Sequence, residues 1–195
     1  MSSDRFDMKA LIRQHVTEKK LFWYVLIVGL VLDIWSKVWA ENAFKPEGWI
    51  VGDPTPTHAF IEGVLAWKWA GNLGAAFSMF SGQVVMLAVV GIFALGVVFF
   101  FVSQCPANDR TQLVSLGLIG SGAFGNIYDR IRFGWVRDFI YFDFDLPFYE
   151  SVSFIPRRYP VFNVADIAIL FGVITLVAVQ WRLAKEEQAA KSAEV

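Results

Sequence analysis

Seven polar residues stand within or beside the apolar stretches of this chain, and their types could do chemistry together: Asp33, Lys37, Asn126, Asp129, Asp138, Asn163 and Asp166. Asn126 and Asp129 in GNIYD repeat the spacing of Asn163 and Asp166 in FNVAD. That spacing puts an amide and a carboxylate on one helical face. Asp33 and Lys37 follow the order that favours a helical ion pair at i and i+4. Singly, each has a structural reading. Asp33 pairs with Lys37 while the lysine snorkels to the interface, Asp129 pairs with Arg130 at a helix end, and the asparagines bond between helices. A carboxylate at the centre of a membrane helix costs about 2.5–3.5 kcal/mol, less toward the interface. Several such groups at one depth mark a functional site.

Other chemistries lack parts. A single cysteine, Cys105, excludes an internal disulfide framework and a cysteine-rich zinc site. His15 and His58 share no metal-ligand spacing, and His58 falls on the opposite membrane side from Cys105 in the topology below. Thiol and serine–histidine catalysis therefore lack a base. The chain has no glycine-rich phosphate loop and no zinc motif, so no metal or organic cofactor is expected. Carboxylates with amides and arginines remain. Two carboxylates held close cannot both ionise. The ionised one can take a proton from water while the protonated one polarises a carbonyl. Spacing alone leaves both Asp129 and Asp138 open as the partner of Asp166.

The elements that must position these groups are membrane helices. Of the 195 residues, 56% are hydrophobic and 16% aromatic, and mean hydropathy is +0.49. Forty consecutive residues between Lys68 and Asp109 carry no charge. A net charge of −1 argues against a nucleic-acid partner. A span needs about 20 apolar residues. Candidates run from Leu21 to about Ala40, Val84 to about Val102, roughly Thr111 to Tyr128, and from near Val161 to Trp181. The first continues into DIWSK rather than a small-residue cleavage site, which predicts a retained span. The fold class expected is an all-α membrane protein of four transmembrane helices with a small extracytoplasmic β-rich loop region.

Residues 1–20 read as a cytoplasmic amphipathic extension with Met8, Leu11, Ile12 and His15 on one stripe, 21–183 as the four-helix domain, and 184–195 as a cytoplasmic tail. Lysine and arginine divide nine against seven between the two sides, which favours both termini inside and the two long loops outside. In the first loop, Leu65, Trp67 and Trp69 alternate with Ala66, Lys68 and Ala70, the pattern of an interfacial strand. Gly117, Ser121 and Gly125 form a ridge that lets another helix approach.

Five blocks in order then resemble lipoprotein signal peptidase, also called signal peptidase II: DIWSK (33–37), GNLGAAFS (71–78), GAFGNIYDR (122–130), GWVRDF (134–139) and FNVADIAI (162–169). The resemblance implies an intramembrane aspartyl endopeptidase that removes the signal peptide from diacylglyceryl-modified bacterial prolipoproteins, cutting before the lipidated cysteine. It implies Asp138 and Asp166 as the catalytic pair, and Asp33, Lys37, Asn72, Asn126, Asp129, Arg130 and Asn163 as the supporting shell. It further implies a bacterial source; a monomer in the inner membrane, in contact with lipid, is expected, and the topology above turns its site toward the outer face. Phe139 and Phe77 are candidate site walls, and Trp67 and Trp69 candidate rests for acyl chains. Two features depart from the family. Ser121 stands where glycine is common, and the stretch between Asp138 and Asp166 is long. Asp143 and Asp145 in that stretch read as loop carboxylates paired with Arg157 or Arg158.

Two other classes also fit buried polar groups on several helices. A proton-coupled transporter would use them as a relay, although four spans are few and no inverted repeat is evident. An assembly factor would use them only for packing.

Overall fold

The computed structural model describes residues 17–74, 82–147, 150 and 156–193; the stripe Met8, Leu11, Ile12 and His15, and Phe77, lie outside them. Its elements are α1 (Lys20–Phe44), β1 (His58–Ile61), β2 (Leu65–Asn72), α2 (Val84–Gln104), α3 (Arg110–Phe133), β3 (Val136–Phe142) and α4 (Val164–Ala193). Helices carry most of the chain, beside one antiparallel sheet in the order β1-β2-β3. Among the described residues, three helices are long and apolar enough to cross a membrane: Lys20–Phe44, Val84–Gln104 and Val164–Glu186, with mean hydropathies of 1.8, 3.0 and 2.1. The third of the four expected spans is a 24-residue helix that falls short of this apolarity. The reason lies in its position, for α3 packs against α1, α2 and α4. A helix covered by three others can carry glycine, serine and polar residues where a lipid-facing helix cannot. α4 continues unbroken to Ala193, through the residues read as a tail.

The small-residue ridge of α3 lies along α1. A Cβ added at Gly117 would meet Val25, one at Gly29 would meet Ser121, and one at Gly125 would fall on the carboxylate of Asp33. These contacts advance together along both helices, so α1 and α3 run parallel. Gly122 meets Ala165 while Gly172 meets Ser115 and Ile119, so α3 and α4 are antiparallel. Both long connections, with all three strands, therefore emerge at one end of the bundle. Gly125→Ala is expected to cost about 1–3 kcal/mol, because Asp33 is buried and must move. Thermal unfolding measures this, and an unchanged midpoint would contradict the packing.

Apolar clusters bracket the polar layer along α1. Phe22 and Leu26 pack with Val98, Val102, Leu113 and Leu116 before it. Beyond it, Ala40 packs with Trp49, Trp69, Phe139 and Ile140. The expected strand forms as β2, but its simple alternation does not hold. Register shifts between Trp67 and Ala70, where Lys68 and Trp69 oppose the single residue Phe139. This bulge re-aims the strand. Trp67 packs on Trp39, Phe44 and Phe139, whereas Trp69 packs on Trp49 and Trp135.

Candidate active site

FNVAD begins α4 with a reciprocal cap. The Asn163 side-chain oxygen accepts from the Asp166 backbone N–H at 3.0 Å, and the Asp166 carboxylate accepts from the Asn163 backbone N–H at 3.0 Å. This is a capping box built from asparagine and aspartate. It explains the three-residue spacing and faces the Asp166 carboxylate toward the positive end of the helix dipole. The Asn163 amide nitrogen remains free to point inward, where it donates to Asp138 Oδ1 at 2.7 Å and Asn126 Oδ1 at 3.1 Å.

The similar pair in GNIYD does something different. Asn126 and Asp129 lie inside α3, so their backbone groups are already bonded and their side chains are free for tertiary contacts. Asn126 donates to Asp166 Oδ1 at 2.9 Å and accepts from Lys37 Nζ at 3.0 Å. Asp129 does not pair with Arg130. It is fully buried, sits 3.3 Å from Lys37 Nζ, and takes 2.7 Å and 3.2 Å bonds from the Arg137 guanidinium and a 3.0 Å bond from the Arg137 backbone N–H. The turn geometry accounts for this. Gly134, at φ 79°, ends α3 in the left-handed region. The chain then folds back so that β3 passes Asp129.

Lys37 pairs with Asp33 at 2.8 Å as its spacing predicts, but it does not snorkel. Both side chains are buried, and the lysine is enclosed by Asp33, Asn126 and Asp129. Asp33 also accepts from the Ala165 backbone N–H at 3.0 Å, which meets one of the open donors in the first turn of α4. The Asp33–Lys37 pair thus sets where α4 begins.

Asp138 on β3 is 1% exposed and held from two sides, with Asn72 Nδ2 donating to Oδ2 at 3.0 Å and Asn163 Nδ2 to Oδ1. Burial, and next the neighbouring Asp166 carboxylate, push the Asp138 carboxyl well above the ordinary carboxylate range. Asn72 is fixed by the Gly74 N–H at 2.9 Å, and Arg130 holds that loop through a 2.9 Å bond to the Gly74 carbonyl. All nine residues implied by the resemblance therefore fall in one network. The carboxylate beside Asp166 is that of Asp138, while Asp129 is held by Lys37 and Arg137. Sequence reasoning missed Arg137 and its second partner Glu41, 3.4 Å away. Their signal was weak, because β3 is buried along nearly its whole length and strand alternation marks nothing there.

Two cavities reach the carboxylates. One of about 570 Å³ is walled by Leu65, Trp67, Phe162, Ile167 and Phe171 and exposes Asp166. Another of about 320 Å³ is lined by Asn72, Gly74, Pro160 and Asp138. Phe139 is buried in the sheet core and lines neither. Asp143 and Asp145 lie outside the network, paired with Arg158 and with both Arg157 and Arg158. The Arg157 hydrogen bond holds Asp145 below the usual carboxylate range.

Long apolar helices gathered round a buried carboxylate network define a membrane protein with an enclosed polar site. A solved structure described as a bacterial membrane enzyme shares the fold, with a TM-score of 0.64 and 25% identity over 83% of this chain and 87% of its own. The family model for signal peptidase (SPase) II matches residues 25–182, and the chain belongs to that family. Membership makes it a protease. The lipoprotein signal peptidase of Clostridium novyi is 33% identical over 153 residues, 78% of this chain and 91% of its own. That of Microcystis aeruginosa is 34% identical over 160 residues, 82% of this chain and 91% of its own.

Proposed function

We propose that the protein is an aspartyl endopeptidase that removes the signal peptide from diacylglyceryl-modified prolipoproteins, with Asp138 and Asp166 as its catalytic pair. The observation that carries this reading is a buried Asp138 beside Asp166, with both carboxylates held by asparagine amides and both open to cavities. The pair shares one proton, and burial favours Asp138 as its holder. Water attacks the scissile carbonyl carbon and gives a proton to Asp166, while Asp138 gives its proton to the carbonyl oxygen. Collapse of the tetrahedral intermediate breaks the C–N bond. The Asp166 proton goes to the leaving amine, and the hydroxyl proton returns to Asp138. No step needs a metal or an organic cofactor.

The family and the relatives' names support the substrate class. The apolar cavity at Asp166 suits a lipid-bearing substrate whose acyl chains remain in the bilayer. In this reading α3 also crosses the membrane, making four spans, and its polarity is shielded by its three neighbours. Residues 21–183 form the peptidase domain, the termini lie in the cytoplasm, and the sheet and site face outward from the bacterial inner membrane. The enzyme acts as a monomer. The test is incubation of purified protein with a prolipoprotein in diacylglyceryl-modified and unmodified forms. Mass spectrometry should find cleavage immediately before the cysteine in the modified form only. Equal cleavage of both would remove the lipid from the recognition step, and cleavage of neither would sink the proposal.

A further inference from the structure

The Arg137 guanidinium links β3 to two helices. It is 2% exposed, and its fork spans the Asp129 carboxylate, Nη2 donating to Oδ1 at 2.7 Å and Nε to Oδ2 at 3.3 Å, while Nη1 reaches Glu41 at 3.4 Å. Its backbone N–H donates to the same Asp129 carboxylate at 3.0 Å. One residue of β3 is therefore tied to α3 by main chain and side chain together, and to the end of α1 by side chain. The next residue along the strand is Asp138. Asp129 is also joined to Lys37, and Lys37 to Asn126, which holds Asp166. Arg137 thus bears on one carboxylate through the backbone and on the other through three side chains. Its guanidinium also lies 4.6 Å from the centre of the Phe133 ring at the end of α3, which limits its rotation.

We propose that Arg137 is a positioning residue for the carboxylate pair, its fork on Asp129 and Glu41 fixing the register of β3 so that Asp138 faces Asp166. This rests on the proteolytic reading above. The fork is what matters. A lysine carries the same charge but as a point donor, and it cannot span two carboxylate oxygens and reach Glu41 at once. A misplacement of about 1 Å at a reacting group is enough to cost about 100-fold in rate.

The test measures kcat and KM for Arg137→Lys and Arg137→Gln, with wild type and Asp138→Asn in parallel and folding followed by thermal unfolding. Both Arg137 variants should be folded and lose at least about 10-fold in kcat, with KM within about two-fold of wild type. Lysine should recover little of that loss. Wild-type kcat in either variant overturns the assignment, because charge alone, or nothing, would then suffice. A raised KM at unchanged kcat makes Arg137 a substrate contact and overturns it as well. Loss of folded protein in both variants makes the residue purely structural, with the same consequence. An inactive wild type fails the protease reading and takes this one with it. An active wild type beside an inactive Asp138→Asn confines any failure to Arg137.

Discussion

Asp138→Asn and Asp166→Asn are each expected to abolish prolipoprotein cleavage, with losses of about 10³-fold or more, while the protein stays folded. A missing general acid or base costs about 10²–10⁴-fold. In the proposed mechanism the two groups share one proton, so removing either ends the exchange. The double variant should be no worse than the worse single one, because residues acting as a unit are not additive. Folding should survive because asparagine keeps the shape and one acceptor oxygen. At Asp138 the new amide faces either Asn72 or Asn163, and at Asp166 either Asn126 or the Asn163 backbone. Each costs about one hydrogen bond, on the order of 1 kcal/mol. Asp143→Asn is the control. Its carboxylate faces Arg158 outside the network, so cleavage should continue. Activity retained by Asp138→Asn would remove Asp138 from the pair and return Asp129 to consideration.

The same substitution carries a pH signature. The Asp138 carboxyl is raised by burial and by Asp166. Between the unfolded value of about 3.9 and the raised folded value, the native state holds a proton that the unfolded state has released. The stability this group contributes is complete below about pH 4 and is lost as pH climbs toward the folded value. Asp138→Asn should therefore gain on wild type in unfolding midpoint as pH rises from about 4 toward neutrality. A difference independent of pH would contradict the burial of Asp138 beside a second carboxylate.

Lys37→Met should cause the largest loss of stability, about 3–5 kcal/mol, the usual cost of stripping one partner from a buried ion pair. Lys37 and Arg137 balance Asp33 and Asp129 within one buried cluster. Methionine matches the lysine stem and preserves the packing, so the loss reports charge rather than shape. Without the ammonium, Asp33 and Asp129 are left under-paired, and Asn126 loses one of its two donors. Asp33 would then hold the Ala165 N–H less firmly, loosening the start of α4. Thermal unfolding of the purified variant measures the effect. A midpoint close to wild type would mean that the lysine is not enclosed as described.

Much of this arrangement was legible along the chain because it is local. Helical spacing alone paired Asp33 with Lys37, and the ridge Gly117, Ser121 and Gly125 announced a close helix contact that proves to be with α1. The spacing of Asn163 and Asp166 put both on one helical turn, and the structure fills that turn with a cap. The resemblance carried by the five blocks implied Asp138 and Asp166 as a pair. Tertiary structure decided what depended on partners distant in sequence. GNIYD and FNVAD look alike, yet one lies inside a helix and the other begins one, so their carboxylates serve different ends. Lys37 is enclosed rather than snorkelling because α3 brings Asn126 and Asp129 to it. Trp67 and Trp69 part company because β3 opposes two residues of β2 with one. Arg137 could not be singled out, since its role consists entirely of contacts with α1 and α3. Periodicity and caps are written in neighbouring residues, whereas the meeting of Asp138 with Asp166 exists only once a strand and a helix have been packed together.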